Sequence, residues 1–367
     1  MNKISSIPIL VLISLLASCK ISESMAWVVS TIAGSGATGG YRDTEPDETG
    51  TDAKFNHPYG VAVDSSGNIY VADSANHRIR KITKEGVVST IAGSTQGYED
   101  TEPGETGTDA KFKEPLGVAA DSEANVYATD QGNHRIRKIT PAGMVTTLAG
   151  TGTAGFADDT GDAAQFYLPF GVAVDSRGSI YVADTLNHCI RKLTSKTVGG
   201  LEVIEVNTIA GSGDPGFANG VGTTAQFKNP SGVVVDSRGK VYVADRLNHR
   251  IREITPAGVV TTIAGTGDEG FANGPGTMAQ FHYPTGVAMD SEGNIYVADY
   301  GNNRIRKITP AGVVSTIAGT GKRGFADDTG IAAQFNDPTG VAVDSSGNVY
   351  VADFNNHRIR KLEYKVP

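Results

Sequence analysis

The chain has 367 residues, a formal net charge of −8 and two cysteines. The negative charge argues against nucleic acid as the main partner, because binding to phosphates needs a positive surface. Two cysteines exclude a disulfide framework, so packing must hold the fold together.

The first eighteen residues have the pattern of an export signal. Lys3 supplies a basic start, residues 7–16 form an apolar run too short to span a bilayer, and Leu-Ala-Ser-Cys ends it at Cys19. This ending resembles a bacterial lipoprotein box, which implies cleavage before Cys19 and acylation of that residue. Ordinary signal-peptidase cleavage nearby is the alternative. With lipidation, residues 19–26 form a short tether to the membrane, on the periplasmic or surface side of the cell envelope.

One sequence unit recurs through residues 27–367. In its first copy four short runs, residues 60–64, 68–73, 78–83 and 87–92, are rich in Val, Ile, Tyr and Thr and are separated by turn residues. Such runs predict strands joined by hairpins. The unit restarts at Phe55, Phe112, Phe166, Phe227, Phe281 and Phe335. Four antiparallel strands in each of six units predict an all-β, six-bladed β-propeller.

The repeated motif carries a family resemblance. The run A-D-x-x-N-H-R-I-R-K, which follows P-x-G-V-A-x-D-x-x-G-N-I-Y-V, resembles the NHL repeat. The Asn-His pair recurs in five units, and Asn302-Asn303 takes its place in the other. The resemblance implies a propeller. Within the family such propellers serve as binding platforms in some proteins and carry active sites in others.

The two ends of the chain complete each other. Residues 27–34 match a fourth strand with no unit before it, whereas the last unit supplies three strands and stops at residues 358–363. We predict that residues 28–33 pair with residues 358–363 and close the ring, which removes a sheet edge.

The connections differ in character. Long loops between the units share Gly and aromatic positions, which predicts ordered loops. The first two, at residues 41–52 and 98–109, are acidic but lack the order of a calcium loop, so we expect them to be solvated. An insertion at residues 195–205 predicts a longer hairpin at the opposite end of the third blade.

Polar residues present in every unit are interpreted as structural. We expect the Asp after the second strand to accept hydrogen bonds from backbone N–H groups of the following turn, and the Asn of Asn-His to hold the same turn. The turn histidines lie on different blades, too far apart to bind one metal ion. Cys189 replaces an Arg of the other units, and we expect a small, semi-buried thiol.

Basic residues recur on the third strands, as in Arg78, Arg80 and Lys81. We expect their charged heads to face solvent or neighbouring acids while their stems cover apolar surface. Contact with anionic lipid or polysaccharide is the functional alternative.

Positions that vary between units are candidates for function. One series flanks the Pro that begins each inner strand, and another follows the turn Asp, so both lie near the mouth of the central channel. From these series we predict a ligand site, which is the usual place for one in such a fold. The predicted ligand-binding residues are Tyr59, Phe170, Arg246, Tyr300 and Phe354.

Four residues of the first series suggest a metal alternative. His57, Glu114, Asn229 and Asp337 together offer ligands for Ca²⁺ or Mg²⁺, and the histidine also suits Zn²⁺. This arrangement is similar to the metal centres of six-bladed lactonase-like hydrolases and of the amidating lyase with an NHL-type propeller. No further motif of those enzymes maps onto this chain.

The sequence therefore favours an exported, membrane-anchored binding module that uses its loop face to bind a protein or a glycan, with no cofactor required. The alternative is a metal-dependent lyase or lactonase-type hydrolase with its site at the channel mouth. RNA binding, known for some NHL proteins, is disfavoured by export and by the negative charge.

Overall fold

A computed structural model describes residues 25–366, which form a ring of six β-sheets around a central axis. The strands in chain order are β1 (Ala26–Ala33), β2 (Pro58–Val63), β3 (Ile69–Asp73), β4 (Arg78–Ile82), β5 (Val88–Ala92), β6 (Pro115–Ala120), β7 (Val126–Asp130), β8 (Arg135–Ile139), β9 (Val145–Ala149), β10 (Pro169–Val174), β11 (Ile180–Asp184), β12 (Cys189–Val198), β13 (Leu201–Ala210), β14 (Gly220–Val221), β15 (Pro230–Val235), β16 (Val241–Asp245), β17 (Arg250–Ile254), β18 (Val259–Ala264), β19 (Gly274–Pro275), β20 (Pro284–Met289), β21 (Ile295–Asp299), β22 (Arg304–Ile308), β23 (Val313–Ala318), β24 (Pro338–Val343), β25 (Val349–Asp353) and β26 (Arg358–Lys365). The predicted six-bladed, four-stranded propeller is confirmed.

Blades 1 to 6 start with the inner strands β2, β6, β10, β15, β20 and β24, and each continues outward through antiparallel neighbours. The two-residue strands β14 and β19 belong to the long loops and add a fifth strand to blades 4 and 5. These loops therefore run along the outer edge of a blade, as ordered structure.

Short 3-10 helices mark two kinds of connection. One kind follows the second strand of each blade, at Ser74–Asn76, Gln131–Asn133, Thr185–Asn187, Arg246–Asn248, Tyr300–Asn302 and Phe354–Asn356. The other lies in the long loops, at Gly50–Asp52, Gly107–Asp109, Gly161–Ala163, Gly222–Thr224 and Gly330–Ala332. Within residues 25–366 no helix has the length and apolar character needed to cross a membrane.

The ring closes as predicted. Strand β1 pairs antiparallel with β26, from Ala26 opposite Lys365 to Ala33 opposite Ile359. Val29 and Ala33 are buried in the closed blade. The N-terminal strand thus becomes the fourth strand of blade 6, whose other strands end the chain.

The inserted residues of blade 3 lengthen a hairpin, also as predicted. Strands β12 and β13 have ten residues each, and Val198 pairs with Leu201 across a turn made by Gly199 and Gly200. Both glycines have positive φ angles, of 60° and 85°, as a two-residue hairpin turn requires.

The core lies between the blades rather than within one layer. The phenylalanine that opens each unit is fully buried, and Phe55 packs in a cluster with Val71 of its own blade and Ala352 of blade 6. Burial of a side chain of this size stabilises the fold by about 1.5–3 kcal/mol.

A ring of glycines brings the inner strands together around the axis. A Cβ atom on Gly60 would stand 2.2 Å from the carbonyl oxygen of Leu116 in the next blade, and one on Gly340 would stand 2.5 Å from that of Tyr59. Because only glycine permits this approach, the central channel is narrow, and its cavity measures about 60 Å³.

Candidate functional site

The repeated basic residues include a fully buried arginine in every blade. Arg80 Nη1 donates to Asp73 Oδ2 at 2.8 Å, and its Nη2 donates to Asp43 Oδ1 of the long loop at 2.6 Å. The six fully buried arginines are Arg80, Arg137, Arg191, Arg252, Arg306 and Arg360. Of the two expected surroundings, solvent or neighbouring acids, these six arginines face acids, and they do so in the interior of the protein.

The turn aspartate has a different partner from the one expected. Asp73 makes no side-chain cap to the following turn. Its Oδ1 accepts instead from the backbone N–H of Asn56, before the inner strand, at 2.7 Å. Asn76 does hold the turn as predicted, because its Nδ2 donates to Asp73 Oδ2 at 2.9 Å. A signal for the buried pair existed in the sequence, since Asp and Arg recur in all six units at a spacing of seven residues.

The turn histidines join neighbouring blades. His77 lies in the left-handed region, with φ of 58°, and its Nδ1 accepts from the backbone N–H of Glu114 in the next blade at 3.1 Å. The same bond links His134 to Leu168, His188 to Asn229, His249 to Tyr283 and His357 to His57. We call these bonds the inter-blade clips. They support the structural interpretation, and burial lowers the pKa of all five histidines.

Cys189 is fully buried, which is deeper than expected. Burial raises the pKa of its thiol well above the ordinary value. The thiol is therefore held in its protonated, weakly reactive form.

Three of the predicted ligand-binding residues meet over the channel. The ring of Tyr59 lies 4.9 Å from that of Phe170 in blade 3 and 5.4 Å from that of Phe354 in blade 6. Phe170 is buried, whereas Tyr59 and Phe354 are partly exposed. These three rings come from blades 1, 3 and 6 and lie together across the mouth. We call Tyr59, Phe170 and Phe354 the aromatic floor.

The other two predicted ligand-binding residues lie beside this floor. The guanidinium carbon of Arg246 is 5.5 Å from the ring centre of Tyr300 and 5.9 Å from that of Tyr283. Blade 4, which carries Arg246, faces blade 1 across the axis of a six-membered ring. Burial raises the pKa of the Tyr59 hydroxyl, and the nearby charge of Arg246 opposes that rise.

Asp337 completes the mouth. Only 3% of this residue is exposed, and its Oδ2 accepts from Asn355 Nδ2 at 2.7 Å. Its Oδ1 lies 3.2 Å from Arg323 Nη2, an ion-pair distance, but without the alignment of a hydrogen bond. Burial, and secondly the Asp337 charge, raises the pKa of the neighbouring Tyr300 hydroxyl.

Arg323 and Asn355 were missed by sequence reasoning. Arg323 lies in the loop before blade 6, where Lys-Arg stands in place of the Thr-Ala, Asp-Pro or Asp-Glu of the three similar loops. This change to two basic residues was the sequence signal that could have indicated Arg323 as a site residue.

The four candidate metal ligands occupy equivalent slots on blades 1, 2, 4 and 6, all with φ between 51° and 55°. The His57 ring packs at 4.6 Å from both Phe354 and His357, and burial lowers its pKa. Glu114 is exposed, and Asn229 is partly exposed. Among residues 25–366 no three His, Cys, Asp or Glu side chains are grouped as metal ligands. The metal site stays a prediction.

Larger cavities of about 510, 680 and 1030 Å³ lie between neighbouring blades at the opposite end of the strands. Hairpin turns line them, such as the turn at residues 236–239. The predicted ligand residues are not among their lining residues, so the mouth is a shallow surface site rather than the roomiest cavity.

The closed ring with a narrow, side-chain-covered channel defines a six-bladed β-propeller. Its repeats identify the kind: the NHL repeat model matches residues 55–82, 166–193, 227–254, 281–308 and 335–362. The chain is therefore an NHL-repeat protein. Residues 112–139 are outside these matches, yet they form blade 2 with the same buried Asp130–Arg137 pair.

Relatives match this chain over part of longer proteins. NHL repeat-containing protein 2 of Bos taurus is 30% identical over 345 residues, which is 83% of this chain and 46% of that protein. Protein SUPPRESSOR OF QUENCHING 1, chloroplastic, of Arabidopsis thaliana is 31% identical over 273 residues, which is 70% of this chain and 25% of that protein. The chain thus spans less than half the length of these relatives.

A solved structure shows the same fold. An auxiliary nutrient binding protein from Bacteroides thetaiotaomicron superposes with a TM-score of 0.66 at 18% identity, covering 93% of this chain and 77% of that one. At this identity the likeness concerns the fold alone.

Proposed function

We propose that this protein is an exported, membrane-anchored binding module whose channel mouth binds a glycan. The observation that carries the proposal is the convergence of variable side chains from different blades at one mouth. Tyr59, Phe170 and Phe354 form its floor, and Arg246 and Asp337 stand beside them. Aromatic faces flanked by a few polar groups suit a sugar, which presents C–H faces and hydroxyl edges.

Two further points support a binding role. The inter-blade clips and buried arginine pairs make the ring rigid, so the mouth is held in place before a ligand arrives. A solved propeller of the same fold is an auxiliary nutrient binding protein.

The glycan site is tested with the purified full-length chain and a set of oligosaccharides, measured by titration calorimetry. We expect Phe354→Ala, which opens the aromatic floor, to weaken binding by about tenfold or more, because an aromatic contact at a binding centre is worth about 1–2 kcal/mol. Phe325→Ala is the matched control, since Phe325 lies in a long loop over Arg358. Equal loss in both variants would contradict a site at the mouth.

Membrane anchoring is tested separately, in a bacterial host supplied with labelled palmitate. We expect the full-length chain to take up the label and to need detergent for release, and Cys19→Ser to lose both properties. Cys189→Ser is the control, because Cys189 is buried in the propeller. Label retained by Cys19→Ser would exclude lipidation at this residue.

Metal content tests the enzymatic alternative. After dialysis the full-length chain is analysed for Ca, Mg and Zn beside the double variant Glu114→Ala, Asp337→Ala. A binding module needs no metal at the mouth, so we expect no ion that the double variant loses. About one ion per chain, absent from the variant, would instead favour a metal-dependent lyase or hydrolase.

A further inference from the structure

Arg246 is a cation at the mouth without an anionic partner. Among the residues described, no carboxylate lies within ion-pair distance of its guanidinium, and its Nε is buried without a hydrogen bond. Its neighbours are the faces of Tyr283 and Tyr300, which attract the charge but accept no strong hydrogen bond. Arg252, a few residues further on, shows the contrast, because it pairs with Asp245 at 2.7 Å.

Asp337 is the buried anion at the mouth, and it adjoins Tyr300. Its charge is already matched by Arg323 at 3.2 Å, and Asn355 binds its Oδ2. Asp337 is thus buried and already paired, which leaves Arg246 as the open charge at the mouth.

The aromatic floor supplies the surface on which a sugar ring can stack. Tyr59 contacts Phe170 and Phe354, and the cavity beneath them is only about 60 Å³, so a ligand must lie on the floor rather than enter the channel. An oxyanion on the edge of a sugar ring lying there would satisfy the charge of Arg246.

We propose that the mouth binds an acidic sugar, whose carboxylate or sulfate accepts hydrogen bonds from Arg246. This inference rests on the proposed glycan-binding function and adds the charge of the glycan. The planar guanidinium fits a carboxylate or sulfate with two parallel hydrogen bonds, which a lysine cannot form.

The test uses the full-length chain and four probes in titration calorimetry. The probes are tetragalacturonate, its methyl ester, a sulfated chondroitin tetrasaccharide and maltotetraose. The methyl ester keeps the shape of tetragalacturonate and removes its charge. We expect the acid to bind about tenfold or more tightly than the ester and than maltotetraose, because a hydrogen bond to a charged group is worth about that much. The sulfated probe distinguishes the two sources of the oxyanion.

Three variants connect the charge preference to its residue. We expect Arg246→Gln to bind the acid no more tightly than wild type binds the ester, and Arg246→Lys to retain part of the preference. Arg238→Gln is the matched control, because it removes the same charge from an exposed turn at the opposite end of blade 4. Melting temperatures near that of wild type establish that the variants fold.

The outcomes separate this inference from the function on which it rests. The acidic-sugar inference would be overturned by equal affinity for acid and ester, or by a preference for the acid that survives in Arg246→Gln. Weaker glycan binding by Phe354→Ala would still support the glycan site in that case. No binding of any probe by wild type at millimolar concentration would contradict both.

Discussion

At the scale of single residues, the buried arginine explains how the long loops are held. The guanidinium of Arg80 donates to Asp73, to Asp43 and to the carbonyl oxygens of Lys54 and Arg42. Taking a charged pair out of water is costly, and these additional hydrogen bonds offset the cost. The pair therefore fixes the loop, the turn and the third strand to one another.

Removing one of the six buried arginines should cost much of the stability. We expect Arg306→Leu to lower the free energy of unfolding by about 3–5 kcal/mol, because Asp299 then stays buried without its partner. Urea unfolding measures the change. Arg238→Leu, at an exposed position, should change the same quantity by less than about 0.5 kcal/mol. Equal effects would show that burial of the pair is not the cause.

Ala124 offers the opposite case, a residue that strains its turn. Its φ is 61°, and the same slot is glycine in the other five blades: Gly67, Gly178, Gly239, Gly293 and Gly347. The left-handed region costs a non-glycine residue about 1–2 kcal/mol, partly balanced by the greater freedom of glycine when unfolded. We expect Ala124→Gly to raise the free energy of unfolding by about 0.5–1 kcal/mol. The reverse change, Gly293→Ala, should lower it.

At the scale of elements, the inter-blade clips tie each turn to the next inner strand. Nδ1 accepts a backbone N–H, so the histidine must be neutral with its proton on Nε2. Blade 5 uses Asn303 instead, whose Oδ1 accepts from the backbone N–H of Asp337 at 2.9 Å. The ring therefore contains one clip whose side chain does not titrate.

The clips predict a loss of stability in mild acid. Burial lowers the pKa of these histidines below 6.5, so the unfolded chain binds protons first as the pH falls. Their contribution is complete above about pH 6.5 and is lost as the pH falls through the lowered pKa of the folded state. We expect the free energy of unfolding to decrease across that window.

A single substitution isolates one clip. His134→Asn should keep the stability at pH 8 within about 0.5 kcal/mol and lose less than wild type between pH 7 and pH 5, measured by urea unfolding. His282→Asn is the control, since His282 makes no clip. An unchanged pH dependence in His134→Asn would show that the clip does not titrate as described.

At the scale of the whole molecule, stability depends on ring closure. Strand β1 pairs with β26 from Ile359 to Lys365, and without it β26 becomes an exposed sheet edge. We expect deletion of residues 27–34 to lower the melting temperature by about 10 °C or more, because a buried strand and the joining of both chain ends are lost. Scanning calorimetry measures this change.

The long hairpin of blade 3 provides the matched control for this deletion. Replacing residues 194–205 with Thr-Pro-Ala-Gly-Val, the turn of blade 4, removes a hairpin whose tip is exposed at Val198 and Leu201. The melting temperature should then stay within about 3 °C of wild type. A drop as large as that of the strand deletion would contradict a special role for closure.

The sequence by itself determined the strands, the number of blades, the closing strand and the longer hairpin. These features follow from local alternation of apolar residues and from repetition, both of which are readable along the chain. It also indicated the mouth, because Tyr59, Phe170 and Phe354 stand at slots that vary between units, and the structure brings these three together.

Only the tertiary structure decided which charges are buried and what they bind. Asp73 meets the backbone of Asn56, seventeen residues away, and His77 meets the next blade. Arg80 is buried because the long loop folds back over it, and Arg323 reaches Asp337 from that same kind of loop. Such contacts depend on how loops and blades pack in space, and a pattern read along one strand does not contain that information.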